Sequence, residues 1–169
     1  LMPAPGIGGD EAYPEEASAT GGAAAAEILT VSVDDLVRPL GRVVFQSNRS
    51  GSSEVHIMND DGSGQAQLTD HPALDFHAVF SPDGSQIAFS SDRSGGQAEI
   101  FVMDLDGLNL RQLTSGIPND HSYAEGLHWH PSGEKLVFSF SVDGAWQLFE
   151  IDTDGSNLVQ LTHTPRWNM

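Results

Sequence analysis

Apolar and polar residues alternate with a period of two along much of the chain, in short runs broken by Gly, Asp, Ser and Pro. This pattern predicts strands rather than helices. The runs VVFQSNRSG from Val43, IAFSSDRSG from Ile87 and LVFSFSVDG from Leu136 each set an alternating strand before a turn containing glycine. A second strand follows each, in VHIMNDDG from Val55, IFVMDLDG from Ile100 and LFEIDTDG from Leu148. A third ends in Leu68-Thr69, Leu113-Thr114 and Leu161-Thr162, so the Leu-Thr pairs recur after 45 and then 48 residues. A further strand, in AVFSPDG from Ala78 and LHWHPSG from Leu127, runs into Pro82-Asp83-Gly84 or Pro131-Ser132-Gly133. In these turns Pro presets φ and Gly accepts a positive φ. Four short strands in a repeat of about 40–45 residues predict the blades of a β-propeller. Phe80 and Trp129 share one repeat position and are expected to anchor blade packing, and Phe45, Phe89 and Phe138 are expected at equivalent buried positions.

The order Leu-Thr, Asp, an aromatic followed by Ser-Pro-Asp-Gly, a strand and an Arg-Ser-Gly turn resembles the TolB-type β-propeller repeat, a cousin of the WD-repeat propellers. The resemblance covers residues 35–169 and is weakest in the third unit, where Ser-Val-Asp-Gly replaces the Arg-Ser-Gly turn. It implies an all-β chain of about three blades, each of four antiparallel strands, either open or completed by self-association. In the family such propellers bind proteins or gate other domains. The residue six places after each Thr is Asp75, Asp120 and Asn168. The resemblance puts this position near the start of the innermost strand, where the three side chains would face a central channel and bind a cation or polar ligand. The plainer reading is that each caps local backbone groups at a turn.

Residues 1–26 are dominated by Gly, Ala, Pro, Glu and Ser and read as a tail that cannot bury enough apolar area to fold alone. Residues 27–34 contain a short alternating strand, Ile28 to Val33. Charge narrows the partners: 24 acidic residues oppose one lysine and six arginines, for a formal net charge of −17. Nucleic acid and anionic membranes both need clustered Lys and Arg, so neither is an expected partner. No apolar run approaches the ~18 residues that a membrane span needs. The chain lacks Cys, which excludes disulfides and thiolate metal sites.

Catalytic motifs are missing: there is no G-x-S-x-G, no phosphate loop, no H-E-x-x-H and no Cys nucleophile. No catalytic residue, cofactor or resident metal is expected. Asp152, Asp154 and Asn157 resemble the opening of a calcium loop, but the later ligands do not follow, and a hairpin turn is the better reading. His128 and His130 flank Trp129, with His77 and His121 elsewhere, and are expected as blade-edge groups rather than metal ligands. Asn48-Arg49-Ser50 is a sequon of no assigned role.

Closed propellers have four to eight blades, so three leave open faces. The expected function is therefore a non-catalytic structural or protein-binding module that self-associates with other copies, as a ring or an extracellular filament. Ile28, Leu29, Val31, Val33 and Trp167 are the expected assembly residues, the strand from Ala26 to Val33 adding to a blade of another copy. The alternative is a fragment of a six- or seven-bladed propeller. Such a parent would be a periplasmic TolB-like binding protein or a prolyl-oligopeptidase-like hydrolase with a gating propeller. An extracytoplasmic location, secreted or periplasmic, accompanies both readings.

Overall fold

The computed structural model describes residues 41–117 and 124–165. The expected tail of residues 1–26 and strand of residues 27–34 lie outside them. Every regular element among the described residues is a β-strand. The first blade holds β1 (Arg42–Ser47), β2 (Glu54–Asn59) and β3 (Ala66–Gln67). The second holds β4 (Asp75–Phe80), β5 (Gln86–Ser91), β6 (Glu99–Asp104) and β7 (Arg111–Gln112). The third holds β8 (Glu125–Trp129), β9 (Lys135–Val142), β10 (Ala145–Asp152) and β11 (Val159–Gln160). Each blade is an antiparallel meander in chain order. The first contains three strands among the described residues, because β1 lacks the inner neighbour that β4 gives β5 and β8 gives β9.

The register shows that the blades are copies. Phe45 lies opposite His56, Phe89 opposite Phe101 and Phe138 opposite Phe149. Each pair stacks across its strands, with ring centroids 5.4, 5.8 and 5.8 Å apart. Successive side chains of a strand face opposite ways, so every blade has a front on the side of the preceding unit and a back on the side of the following one. Between the first two blades, Val55 with Val44 and Leu68 packs against Ile87, Phe89, Phe101 and Met103. Between the second and third, Ala88, Ile100, Val102 and Leu113 pack against Leu136, Phe138, Phe149 and Ile151. Each such side chain that leaves water contributes roughly 1.5–3 kcal/mol.

The expected anchors behave as read. Phe80 and Trp129 each border one of these clusters, and Trp129 Nε1 donates across the blade boundary to the Val79 carbonyl at 3.3 Å. Phe89 and Phe138 are fully buried, whereas Phe45 is half-buried. Its face is the front of the first blade, which no preceding blade covers among the described residues.

The Asp-Gly turns also dock one blade on the next. Gly62, Gly107 and Gly155 all have positive φ, 81°, 82° and 88°. A Cβ on Gly107 would lie 3.0 Å from the Leu68 carbonyl of the preceding blade, and one on Gly155 would lie 3.5 Å from the Leu113 carbonyl, while one on Gly62 would meet nothing within 4 Å. Gly107→Ala therefore adds a steric conflict to the cost of a left-handed backbone, and Gly62→Ala incurs the backbone cost alone. In urea unfolding, Gly107→Ala is expected to lose about 2 kcal/mol and Gly62→Ala about half that.

Candidate functional site

The buried polar groups of each blade form one repeated tether. Thr69, Thr114 and Thr162 accept the backbone N–H of Val55, Ile100 and Leu148 at 2.9, 2.8 and 2.8 Å. Their hydroxyls then donate to a side chain 15 residues earlier: Glu54 at 2.6 Å, Glu99, and Gln147 at 2.9 Å. The same acceptor side chain also holds the loop that leaves the blade, through the second oxygen of each glutamate and through the single Oε1 of Gln147. Glu54 Oε1 accepts from the His71 N–H, Glu99 Oε1 from the Gly116 N–H, and Gln147 Oε1 from the Thr164 N–H. Gln67, Gln112 and Gln160 cap the same threonines by donating to their carbonyls at 2.7, 2.6 and 2.7 Å. The Leu-Thr motif is thus a latch that closes the outermost strand of each blade (β3, β7 or β11) onto its neighbour (β2, β6 or β10). Its acceptor was missed in the sequence reading, although the constant spacing of 15 residues signals it.

Gln147 does the same work as the two glutamates, so the latch needs an acceptor and not a charge. Burial pushes Glu54 up, but hydrogen bonds from Ser52 and Thr69, the His71 N–H and the charge of Arg93 together hold it below its ordinary 4.5. A carboxylate with a depressed folded pKa binds fewer protons in the native than in the unfolded state just below pH 4.5, so its contribution is present above that value and lost as pH falls through the folded pKa. Stability measured in urea at stepped pH is expected to fall less steeply below pH 4.5 in Glu54→Gln than in the parent chain. Equal slopes would show that this carboxylate does not drive the acid transition.

Asp75, the first residue of β4, is fully buried, and its Oδ2 accepts from Arg93 Nη2 at 2.7 Å. Arg93 lies over the rings of Phe89 and Phe101, 5.4 and 5.1 Å from their centroids, and donates through Nε to Ser91. Asp75 Oδ1 is buried without a hydrogen-bond partner. The backbone N–H of Asp75 donates to the Ser53 carbonyl, and the Ser53 hydroxyl donates to the Asp75 carbonyl, stitching the second blade to the first.

Of the three residues counted from the Leu-Thr pairs, Asp120 and Asn168 lie outside the described residues. Strand register selects a different partner for Asp75. Phe80 and Trp129 end β4 and β8 at the same place, opposite Ile87 and Leu136, so five residues upstream Asp75 corresponds to Ala124. Both inner strands also break register at the same point, where His77 and Gly126 have φ of 54° and 56°. By the same alignment Ser91 corresponds to Phe140 and Arg93 to Val142. The polar set of the second blade is replaced as a whole in the third by Ala124, Phe140 and Val142, which join the apolar cluster there.

The remaining candidates settle into turns. Asp154 Oδ1 accepts the Ser156 N–H and Asp152 Oδ2 accepts from Asn157, so the calcium-like segment is a hairpin turn closed by its own groups. Asp83, held to about 2 by the Ser81 hydroxyl and then by the Ser85 N–H and hydroxyl, does the same at the Ser-Pro-Asp-Gly turn. His128 and His130 are exposed, and His130 Nδ1 accepts the N–H of Ser132. Among the described residues no three His, Asp or Glu side chains converge to hold a metal. The expected assembly residues Ile28, Leu29, Val31, Val33 and Trp167 lie outside the described residues, as does His121.

Residues 37–121 match the TolB beta propeller domain family. The chain belongs to that family. It is 34% identical over 121 residues to the protein TolB homolog of Chlorobaculum tepidum and 32% identical over 122 residues to that of Chlorobium chlorochromatii. Each match covers 72% of this chain and 26% of the relative, so the chain spans about a quarter of the length of these TolB homologues. A 99-residue match at 31% identity to the uncharacterized peptidase YuxL of Bacillus subtilis covers 59% of this chain and 14% of that protein. Among solved structures, the putative TolB from Agrobacterium tumefaciens superposes with a TM-score of 0.63 at 25% identity. It covers 72% of this chain and 45% of its own. The latch and the stacked pair recur in all three blades, and the turn at Pro82-Asp83-Gly84 recurs as Pro131-Ser132-Gly133, because they are the parts of one repeated unit.

Proposed function

We propose that this chain is a non-catalytic arc of a TolB-like propeller that serves as a protein-binding module outside the cytoplasm. The observation that carries the reading is the fate of its buried polar groups. Glu54, Glu99, Gln147 and their threonines hold strands together, Arg93 holds the Asp75 carboxylate within the second blade, and the Asp75 backbone is bonded to Ser53 of the first. None of these is paired with a general base in an open cleft, as a nucleophile would need to be. The short share of each TolB homologue covered favours an arc of a larger ring over a self-contained particle. In the peptidase relative only a small part of the protein is matched, which supports a shared propeller and not a shared reaction.

The test is turnover of aryl esters and unstructured peptides by the purified chain, beside Glu99→Gln. The expected result is no hydrolysis above buffer in either. Hydrolysis that follows the protein through purification and disappears in Glu99→Gln would overturn the reading, because Gln147 shows that the amide preserves the latch.

A structural role with exchanged strands is a second reading, and the edge of β1, unpaired among the described residues, favours it. In that reading the segment from Ala26 to Val33 of another copy pairs there. Backbone pairing tolerates side-chain changes but not the loss of an N–H, so Val31→Pro should weaken association where Val31→Thr does not. Equal association of both variants would remove strand exchange.

A further inference from the structure

The turns that end the inner strands of the second and third blades lie side by side, so that a Cβ on Gly133 would stand 3.9 Å from Pro82 Cδ. Between them runs a groove of about 400 Å³, with described residues on both walls. Pro82 and Asp83 come from the second blade, and Trp129, Pro131, Glu134 and Thr153 from the third. Its volume is within the roughly 300–1,000 Å³ of ligand pockets. Half-buried Trp129 and the two prolines supply apolar surface. Trp129 Nε1 is already engaged by the Val79 carbonyl, so the indole has no donor left for a ligand.

The charge of the groove is negative. Asp83 and Glu134 line it, and among the described residues no lysine or arginine does. The nearby cations are committed elsewhere: Arg111 Nη1 donates to the Thr153 carbonyl at 2.6 Å, and Lys135 Nζ binds Glu150 at 2.6 Å. The groove between the first two blades uses the same repeat positions, with Phe80 for Trp129 and Leu105 for Thr153, and there Arg42 is part of the lining. The counterpart of Arg42 in the second blade is Gln86, which lines the groove beside Trp129. One groove thus carries a guanidinium of the chain itself, and the other carries carboxylates without one.

We infer that the groove between the second and third blades receives an arginine or lysine side chain of a partner polypeptide, its stem against Trp129 and Pro131 and its head beside Asp83 and Glu134. This gives the partner chemistry for the protein-binding reading and rests on that reading. Such a side chain matches both halves of the groove: its alkyl stem covers apolar surface while its charged head stays at the carboxylates. A cation over an indole face is also attracted by the ring. Nucleic acid and anionic lipid are repelled by a chain of net charge −17. Each exposed ionic contact is weak alone, so the groove selects a cationic residue within a longer bound segment and does not hold a free amine tightly.

The experiment is an NMR titration of the full chain with the peptide acetyl-Gly-Arg-Gly-amide, using the neutral citrulline peptide as control and Trp129→Phe to assign the indole signal. The arginine peptide is expected to move the Trp129 indole and the Glu134 amide in a saturable way, and the citrulline peptide to bind at least about tenfold more weakly. Glu134→Lys should weaken binding at least about fivefold. Asp143→Asn, which removes a charge from the β9–β10 turn at the opposite end of the third blade, should leave it unchanged. Amide spectra show that both variants stay folded. Shifts that spread over the acidic surface without saturating at Trp129, equal binding of the two peptides, tighter binding of spermidine than of the arginine peptide, or a Glu134→Lys chain that binds like the parent would overturn the inference and leave the protein-binding reading standing. Cleavage of the peptide in the same samples would overturn both.

Discussion

Asp75→Ala is expected to cost about 3–5 kcal/mol in urea unfolding, and Asp75→Ala combined with Arg93→Val is expected to regain most of that loss. The carboxylate is fully buried, and the guanidinium it holds is largely enclosed between blades. Removing the acid alone strands a cation in that place, which costs more than the pair itself was worth. Removing both partners leaves no charge in the site, and the third blade shows that the fold accepts its two positions as Ala124 and Val142. Against a typical total stability of 5–15 kcal/mol, the single change brings the chain near the edge of folding. Equal losses in the single and double variants would mean that Arg93 is not the source of the penalty. The alignment of the second and third blades would then lose its energetic support.

Glu99→Ala is expected to cost about 2–3 kcal/mol, whereas Glu99→Gln should lie within about 1 kcal/mol of the parent. The alanine leaves the buried Thr114 hydroxyl without its acceptor and releases the Gly116 N–H at the blade edge. The hydroxyl cannot simply turn away, because its oxygen is engaged by the Ile100 N–H. Glutamine restores an acceptor of the same length, as Gln147 does for Thr162 and Thr164. Urea midpoints of the three chains at neutral pH decide the matter. A Gln variant as unstable as the Ala variant would make charge, not hydrogen bonding, the basis of the latch.

The strands were legible in the sequence because each blade repeats the same alternation, and the turns because Pro, Gly and Asp stand where a positive φ or a preset φ is needed. Gly107 illustrates both halves of that legibility. Its turn type follows from Asp106-Gly107, but its close approach to Leu68 of another blade has no local signal. The candidate site was less legible. Counting six residues from each Thr selects Asp75 and Asp120, yet the second loop is longer by four residues than the first, as the spacings from Thr69 to Phe80 and from Thr114 to Trp129 show. Distance along a loop does not fix position on a sheet, whereas pairing with Ile87 and Leu136 does. Equally, alternation shows that Leu148 faces sideways out of its sheet, but only the assembled blades show that it stays 41% exposed where Val55 and Ile100 are buried.

The claim on which the account stands is that three blades are copies of one unit closed by one latch, and amide hydrogen exchange reads it residue by residue. The N–H groups of Val55, Ile100 and Leu148 make the same bond to Thr69, Thr114 and Thr162. The account predicts that Val55 and Ile100, covered by the next blade, exchange only through global unfolding. Leu148, on the open face, should exchange faster than these two but far slower than a turn amide such as Ser94. Exchange of Val55 or Ile100 at the rate of Ser94 would contradict it, because the latch would then be absent from the folded chain.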